Sequence, residues 1–135
     1  MPSFTVKTSS QCEMIDITKR ISDILRKEGT MEGICQVFVP HTTAAVTINE
    51  NADPDVPRDI LMILDRVVPL RGGYRHMEGN SAAHAKASLI GASETVFIEN
   101  GHLVLGTWQS VFFCEFDGPR TRQVIVKILS GHSSP

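Results

Sequence analysis

The stretch that decides the fold is ETVFIENGHLVLGTWQSVFFCEFDGPRTRQVIVKIL, residues 94–129. It is rich in β-branched and aromatic residues, which is typical of strands. The pairs Asn100-Gly101 and Asp117-Gly118 interrupt it, and such pairs favour tight turns. We therefore predict a β-meander over this third of the chain, with a hairpin at Asn100-Gly101.

Upstream, the pattern predicts a hairpin and then a helix. FTVKT (4–8) and EMIDI (13–17) alternate in side-chain character as strands do, with a polar turn between them. From Ile17 the apolar residues recur at helical spacing, and Gly29 offers a C-terminal stop.

Two further helices are predicted in the middle of the chain. Asp53 before Pro54 signals the second, which ends at Pro69. Asn80 or Ser81 can cap the third, a short helix that continues through Leu89.

The strand-like segments GICQVFVP (33–40) and AAVTINE (44–50) lie between the first two helices. Strands, hairpins and helices are thus interleaved along the chain. This order favours an α+β fold over a parallel α/β sheet.

Length and composition define the class of protein. With 135 residues, a common size for one domain, the chain is expected to form a single domain over residues 1–135. It is 41% hydrophobic and has a formal net charge of -2, so it can form a core but lacks the basic excess typical of nucleic-acid binding. No apolar run approaches the roughly 20 residues that span a bilayer, and no signal-peptide pattern is present. We expect a cytoplasmic protein without nucleic-acid or membrane partners.

The cysteines and the C-terminal tail suggest no special chemistry. Cys12, Cys35 and Cys114 are odd in number and have neither zinc nor redox spacing, so reduced thiols are expected. The last six residues, SGHSSP, are predicted to be a frayed tail in which His132 is solvated.

Three histidines are candidates for one site. His41 follows the apolar strand ICQVFV, at a strand end where side chains often line pockets. His84 falls in the first turn of the third helix, where the helix dipole disfavours a protonated imidazole, and neutral imidazole is a metal ligand. His76 precedes that helix in a glycine-containing loop that can fold back. A shared three-histidine metal site is feasible, although the spacing is no strict metal motif.

The alternative is that each histidine is an ordinary polar or core residue, the usual outcome for scattered histidines. Glu78, between His76 and His84, could be a fourth ligand, a general base or a loop carboxylate. The residues themselves leave these alternatives open.

A second group of residues suits an anionic ligand. Arg120 and Arg122 are two apart at a strand start beside Asp117, so both point to one face of an extended chain. Two guanidinium groups together suit a phosphate, but the residues alone favour the alternative, a solvated hairpin tip whose charges protect a sheet edge. The role of Trp108 and Gln109 is also open. Trp108 could simply belong to the core, in which case the adjacent Gln109 would face the opposite side.

Three segments together, HTTAAVTINENADPDVPRDI, HMEGNSAAHAKASLIG and GTWQSVFFCEFDGPRTRQV, strongly resemble the YjbQ-like family, also called the secondary thiamine-phosphate synthase family. The resemblance covers nearly the whole chain. Family-typical residues stand at His41, Thr42, His76, Glu78, Gly79, Asn80, His84, Gly106, Trp108, Gln109, Asp117, Gly118, Pro119 and Arg120.

The resemblance implies an α+β fold with two sheets, about three helices and a homotrimeric assembly. It also favours a divalent metal ion, with zinc expected, bound by His41, His76 and His84. Glu78 and Arg120 are the implied catalytic residues. The implied contacts to a phosphorylated small molecule come from Thr42, Asn80, Gln109, Asp117 and Arg120.

The implied activity is thiamine-phosphate synthesis, which joins a pyrimidine pyrophosphate to a thiazole phosphate. In this family it is regarded as secondary, so the physiological reaction can differ. Two alternatives remain: a metal-dependent hydrolase of a phosphorylated small molecule, and a non-catalytic trimer that binds a metabolite.

Overall fold

The computed structural model describes residues 1–131, so the predicted behaviour of His132 lies outside the described residues. The helices are α1 (Thr18–Glu28), α2 (Asp55–Val67) and α3 (Ser81–Ile90). The strands are β1 (Ser3–Lys7), β2 (Glu13–Asp16), β3 (Gly33–Phe38), β4 (Ala44–Glu50), β5 (Ser93–Glu99), β6 (His102–Leu103), β7 (Gln109–Glu115) and β8 (Thr121–Ser130). Within residues 1–131, no helix is both long and apolar enough to span a membrane.

The strands form two antiparallel sheets, with orders β1-β8-β3-β5-β6 and β2-β7-β4. Apolar residues of both sheets share one buried cluster, which also includes Ile21 and Leu25 of α1. A second cluster joins Ala83 and Ala87 of α3 to Phe112 on the other face of the three-stranded sheet. This confirms the predicted α+β fold, with a two-sheet, sandwich-like core and three helices.

The apolar stretch VFFC in β7 explains these two clusters. Val111 and Phe113 belong to the cluster between the sheets, whereas Phe112 and Cys114 belong to the cluster beneath α3. Because successive side chains of a strand point to opposite faces, a strand that is apolar on both faces has to be covered on both. The five-stranded sheet covers one face of β7 and α3 covers the other, while β2 and β4 pair with its two edges.

Two predictions of strand pairing are wrong. β1 and β2 form no hairpin with each other, since β1 pairs with β8 and β2 pairs with β7 in the other sheet. The C-terminal strands form no continuous meander, because β7 lies in the three-stranded sheet while β8 pairs with β1 and β3. The hairpin of β5 and β6 across Asn100-Gly101 is confirmed. Periodicity identifies a strand and its buried face, but the packing of the two sheets selects its neighbours.

The helix ends follow the sequence signals. Gly29 ends α1 with a left-handed φ of 68°, and its N–H donates to Leu25 O at 3.0 Å. Before α2, Asp53 Oδ1 accepts a 2.9 Å hydrogen bond from the N–H of Asp55, as a capping residue does. Asn80 is the N-cap residue of α3, but its side chain makes no capping hydrogen bond.

The three cysteines are free thiols, as expected. Burial raises the pKa of Cys35 to about 11 and that of Cys114 to about 12. Buried, protonated thiols of this kind are poor nucleophiles, so the core cysteines are structural residues.

Candidate functional site

A cavity of about 390 Å³ lies at one end of the β4–β7 ladder, beside the start of α3. Three segments line it: the connection between β3 and β4, the residues that lead into α3 with its first turn, and the turn between β7 and β8 with the start of β8. The lining residues are Pro40, His41, Thr42, Thr43, His76, Glu78, Asn80, His84, Asp117, Arg120 and Arg122.

Hydrogen bonds between the segments hold this arrangement together. The N–H of Phe116 donates to Thr43 O at 3.2 Å, which continues the contact of β4 with β7 beyond the ladder. Asn80 Nδ2 donates to Asp117 Oδ2 at 2.9 Å and thereby ties the start of α3 to the β7–β8 turn. The Asn80 side chain, predicted as a helix cap, is used instead to join two segments of the site.

The structure brings the three candidate histidines to this one cavity. The rings of His76 and His84 meet edge to face, with centroids 5.2 Å apart and an interplanar angle of 87°. With a zinc–nitrogen distance of about 2.0–2.1 Å, the centroids of two imidazoles on one ion would be roughly 5–6 Å apart. The separation of His76 and His84 therefore fits a shared metal ion.

His41 differs from the other two histidines in its hydrogen bonding. Its Nε2 accepts a 2.9 Å hydrogen bond from the backbone N–H of Gln123 in β8. Burial lowers the pKa of His41, and the positive charge of Arg122 lowers it further. In a neutral imidazole whose Nε2 is an acceptor, the proton is on Nδ1. His41 thus offers an N–H donor rather than a free lone pair.

The residues of the cavity fit a divalent ion only in part. Among residues 1–131, no group of three His, Cys, Asp or Glu side chains is placed so that it could hold a metal ion. Asn80 lines the cavity together with His76 and His84, and its Oδ1 is buried without a hydrogen-bond partner within this range. His41 can join them only by giving up its bond to Gln123. The three-histidine site stays a prediction.

Both arginines of the cavity are engaged with carboxylates. Arg120 donates from Nε to Asp117 O and from Nη2 to Asp117 Oδ2, each at 2.8 Å. Its side chain is half exposed, so its remaining N–H groups stay accessible to a ligand.

Arg122 is buried and forms the floor of the cavity. It donates from Nε and Nη2 to the carboxylate of Glu115, and from Nη2 to Thr43 Oγ1 at 2.8 Å. Glu115, which is 0% exposed, also accepts hydrogen bonds from Thr8 Oγ1 at 2.8 Å and from the N–H of Asp117 at 3.0 Å. This network joins both sheets beneath the site.

The ionisation of Glu115 depends on that network. Burial alone would raise the pKa of the Glu115 carboxyl. The hydrogen bonds from Arg122, Asp117 and Thr8, together with the charge of Arg122, hold the pKa below its ordinary value instead. Glu115 is therefore an anion, and it balances the positive charge of Arg122.

Of the predicted site residues, Gln109 lies away from this cavity. It begins β7, whereas the cavity lies beyond Glu115 at the other end of the same strand. Six residues of extended strand separate the two ends by roughly 20 Å. Gln109 Oε1 accepts from the N–H of Gly106 at 2.7 Å, and the adjacent Trp108 is 63% exposed rather than part of the core.

Sequence reasoning missed the role of Glu115. The signal was present in VFFCEF, where a single carboxylate interrupts an apolar strand. A charge in such a strand is buried only when it is paired, so its presence predicts a buried partner. The identity of that partner, Arg122 on a different strand, depends on the three-dimensional pairing.

Comparison with known proteins identifies the family. Residues 2–131 match the family described as "UPF0047 protein YjbQ-like". The chain belongs to the YjbQ-like family. It is 51% identical to the UPF0047 protein YugU of Bacillus subtilis, over 96% of this chain and 98% of that protein. It is 48% identical to a UPF0047 protein of Methanocaldococcus jannaschii, over 93% of this chain and 91% of that protein.

Solved structures of YjbQ-like proteins have the same fold. A YjbQ/UPF0047 family protein from Clostridium acetobutylicum has 55% sequence identity and a TM-score of 0.94, and the match covers 96% of this chain and 100% of that one. A protein from Sulfolobus solfataricus, described as of unknown function, has 36% identity and a TM-score of 0.93, with 96% of both chains covered. These similarities establish the family and the fold, and they name no reaction.

Proposed function

We propose that the cavity binds a phosphorylated small molecule together with a divalent metal ion. It would catalyse a group transfer in which phosphate or pyrophosphate is the leaving group. The supporting observation is the balance of charge in the cavity. Each arginine is paired with a carboxylate, Arg120 with Asp117 and Arg122 with Glu115, so neither pair has a surplus positive charge. Glu78 adds a further negative charge to the lining.

A phosphate dianion would enter such a cavity only if more positive charge were supplied, because like charges at close range repel. The charged lining residues, Arg120, Arg122, Glu78 and Asp117, sum to zero, and Glu115 beneath them brings the sum to -1. The lowered pKa of His41 favours its neutral form, which adds nothing to this sum. A bound divalent cation would make the net charge of the site positive.

His76 and His84, with Asn80 Oδ1, would hold that ion, and zinc is the expected occupant because imidazole is among its preferred ligands. When bound, it would supply positive charge for the phosphate oxygens and for the leaving group. If His41 gave up its bond to Gln123, it would complete the ligand set in the three-histidine arrangement that the family resemblance implies.

The residues of the chain have distinct roles in this proposal. Arg120, half exposed at the cavity, would donate hydrogen bonds to the leaving phosphate oxygens as negative charge develops on them. His41 would donate from Nδ1 to a phosphate oxygen as long as Nε2 accepts from Gln123. The hydroxyl of Thr42 and the exposed part of Asp117 would orient the ligand.

The reaction to test first is the joining of a pyrimidine pyrophosphate to a thiazole phosphate. In that transfer the carbon–oxygen bond to pyrophosphate breaks, pyrophosphate leaves with the electron pair, and the thiazole nitrogen supplies the pair for the new bond. Hydrolysis of a phosphate ester is the second candidate, favoured by Glu78 in the same lining. There the carboxylate would take the proton of the attacking water while the ester oxygen leaves phosphorus.

A homotrimer would cover an apolar surface that the single chain exposes. Phe97, which is 67% exposed, and Leu129, which is 49% exposed, are both cross-strand partners of Ile34 on the five-stranded sheet. Phe38 extends this apolar surface at the other end of β3, with 42% exposure. Adjacent exposed apolar side chains of this kind mark association surfaces.

Metal content tests the proposed ion. Protein purified without an affinity tag is loaded with zinc, desalted and analysed for metal. The wild type should retain about one ion per chain, as a single site requires. His76→Ala and His84→Ala should retain little, and His102→Ala, an exposed histidine in the β5–β6 hairpin, is the matched control. Equal zinc in all four proteins would refute the site, and His41→Ala shows whether a third histidine participates.

Turnover tests the reaction. The zinc-loaded protein is incubated with the pyrimidine pyrophosphate and the thiazole phosphate, and released pyrophosphate is measured. Release that needs both substrates supports the transfer, whereas phosphate release from one substrate alone supports the hydrolase. Saturable binding of these compounds without turnover would refute catalysis and leave a binding protein.

A further inference from the structure

A second cavity, of about 330 Å³, adjoins the site on the side of the C-terminal half of α3. It shares His41, Thr42 and His84 with the first cavity, so these residues form the boundary between the two. Its remaining lining residues are Ala44, Ala87, Ser88, Gly91 and Ala92.

The chemical character of the two cavities is different. Four charged side chains line the first cavity, whereas the second has small, uncharged residues beyond the two shared histidines. Two of these residues have hydroxyl groups: Thr42, which also lines the first cavity, and Ser88, whose Oγ donates to the carbonyl of His84 at 2.9 Å within α3. An uncharged group fits this lining, because a charged one would lose water without gaining a partner.

We infer that the ligand has two parts: a phosphate-type group in the first cavity and a small uncharged organic group in the second. This inference rests on the proposed function, since it takes the first cavity as the phosphate site. The linkage between the two parts lies at the boundary, next to His41 and His84. The bond that joins the organic group to the phosphate would therefore lie beside the imidazoles of His41 and His84.

The size of the second cavity limits the uncharged group. Ligand pockets in proteins commonly measure ~300–1,000 Å³, so a cavity of about 330 Å³ is at the lower end of that range. It accommodates a group of the size of one ring. Specificity for a compact organic group follows from the small side chains of Ala87, Ser88 and Ala92, which leave this space open.

The test compares inorganic phosphate with phenyl phosphate, which carries one uncharged ring. Both are titrated calorimetrically into zinc-loaded protein. We expect phenyl phosphate to bind about tenfold more tightly, because the ring loses contact with water in the second cavity.

Ser88→Trp should fill the second cavity, since residue 88 is exposed at its lining. This variant should lose the preference for phenyl phosphate and keep the wild-type affinity for inorganic phosphate. Leu89→Trp, at a neighbouring position of α3 that is 62% exposed and lies outside the cavity lining, is the matched control and should behave as the wild type does. Ala92→Trp provides a second, independent obstruction if the first variant folds poorly.

The possible results separate the two proposals. If phenyl phosphate binds no more tightly than phosphate, or if its preference survives in both Ser88→Trp and Ala92→Trp, the two-part ligand is refuted while phosphate binding stands. If the wild type binds neither compound with zinc present, the proposed function itself fails, and the two-part ligand fails with it.

Discussion

Replacing Glu115 by Gln should destabilise the protein severely. Glu115 is fully buried and accepts hydrogen bonds from Thr8, Asp117 and Arg122. Gln has nearly the same shape but leaves the charge of Arg122 buried without a counterion. Breaking a buried ion pair by removing one partner costs about 3–5 kcal/mol. For a chain of this size, that loss lowers the melting temperature by roughly 10–20 °C.

Urea unfolding at a fixed protein concentration measures this loss. Asp23→Asn, which breaks the exposed pair of Asp23 with Arg26, is the control and should cost about 0–1 kcal/mol. The double variant Glu115→Leu/Arg122→Met should recover much of the loss, because it removes both charges together. A cost below about 1 kcal/mol for Glu115→Gln would refute the view that this pair is a coupled, buried unit.

The same pair predicts a dependence on pH. The folded pKa of Glu115 lies below its ordinary value of 4.5 because of Arg122 and the other donors. A carboxyl with a lowered folded pKa contributes stability that is present above the unfolded pKa and is lost as the pH falls through the folded pKa. The stability difference between the wild type and Glu115→Gln should therefore be constant near neutral pH and should shrink below pH 4.5. A difference that persists unchanged in acid would contradict the assignment.

Three further outcomes are expected. Arg120→Ala should weaken phosphate binding about tenfold and keep the fold, with the exposed Lys127→Ala as the control. An unchanged affinity would show that Arg120 is a solvated turn residue without a role in phosphate binding. If the chain forms the proposed trimer, Phe97→Asp should convert it to monomers in sedimentation, whereas a wild type that is monomeric at micromolar concentration would refute the trimer. The pKa of His41, measured by NMR, should lie below 6.5. The stability that its neutral form contributes is then complete above pH 6.5 and is lost as the pH falls through the folded pKa. A pKa above 6.5 would contradict the burial of His41 beside Arg122.

Much of the site was accessible from the sequence because it is local. His76, Glu78 and His84 lie within nine residues, around a helix start that the sequence signals, so their proximity follows from short-range geometry. The extent of α1 and its stop at Gly29 were likewise predictable, since periodicity and capping act within a few residues. The three segments that resemble the YjbQ-like family then led to the family that the comparisons establish.

The sequence by itself therefore determined the helices, the strands and the proximity of His76, Glu78 and His84. Tertiary structure decided which strands pair, that Arg122 is bound by Glu115, and that His41 uses Nε2 to accept from Gln123. The physical reason is range: turns, caps and periodicity depend on neighbouring residues. A partner eighty-two positions away, as Gln123 is from His41, is chosen only when two sheets pack and bury their apolar faces together.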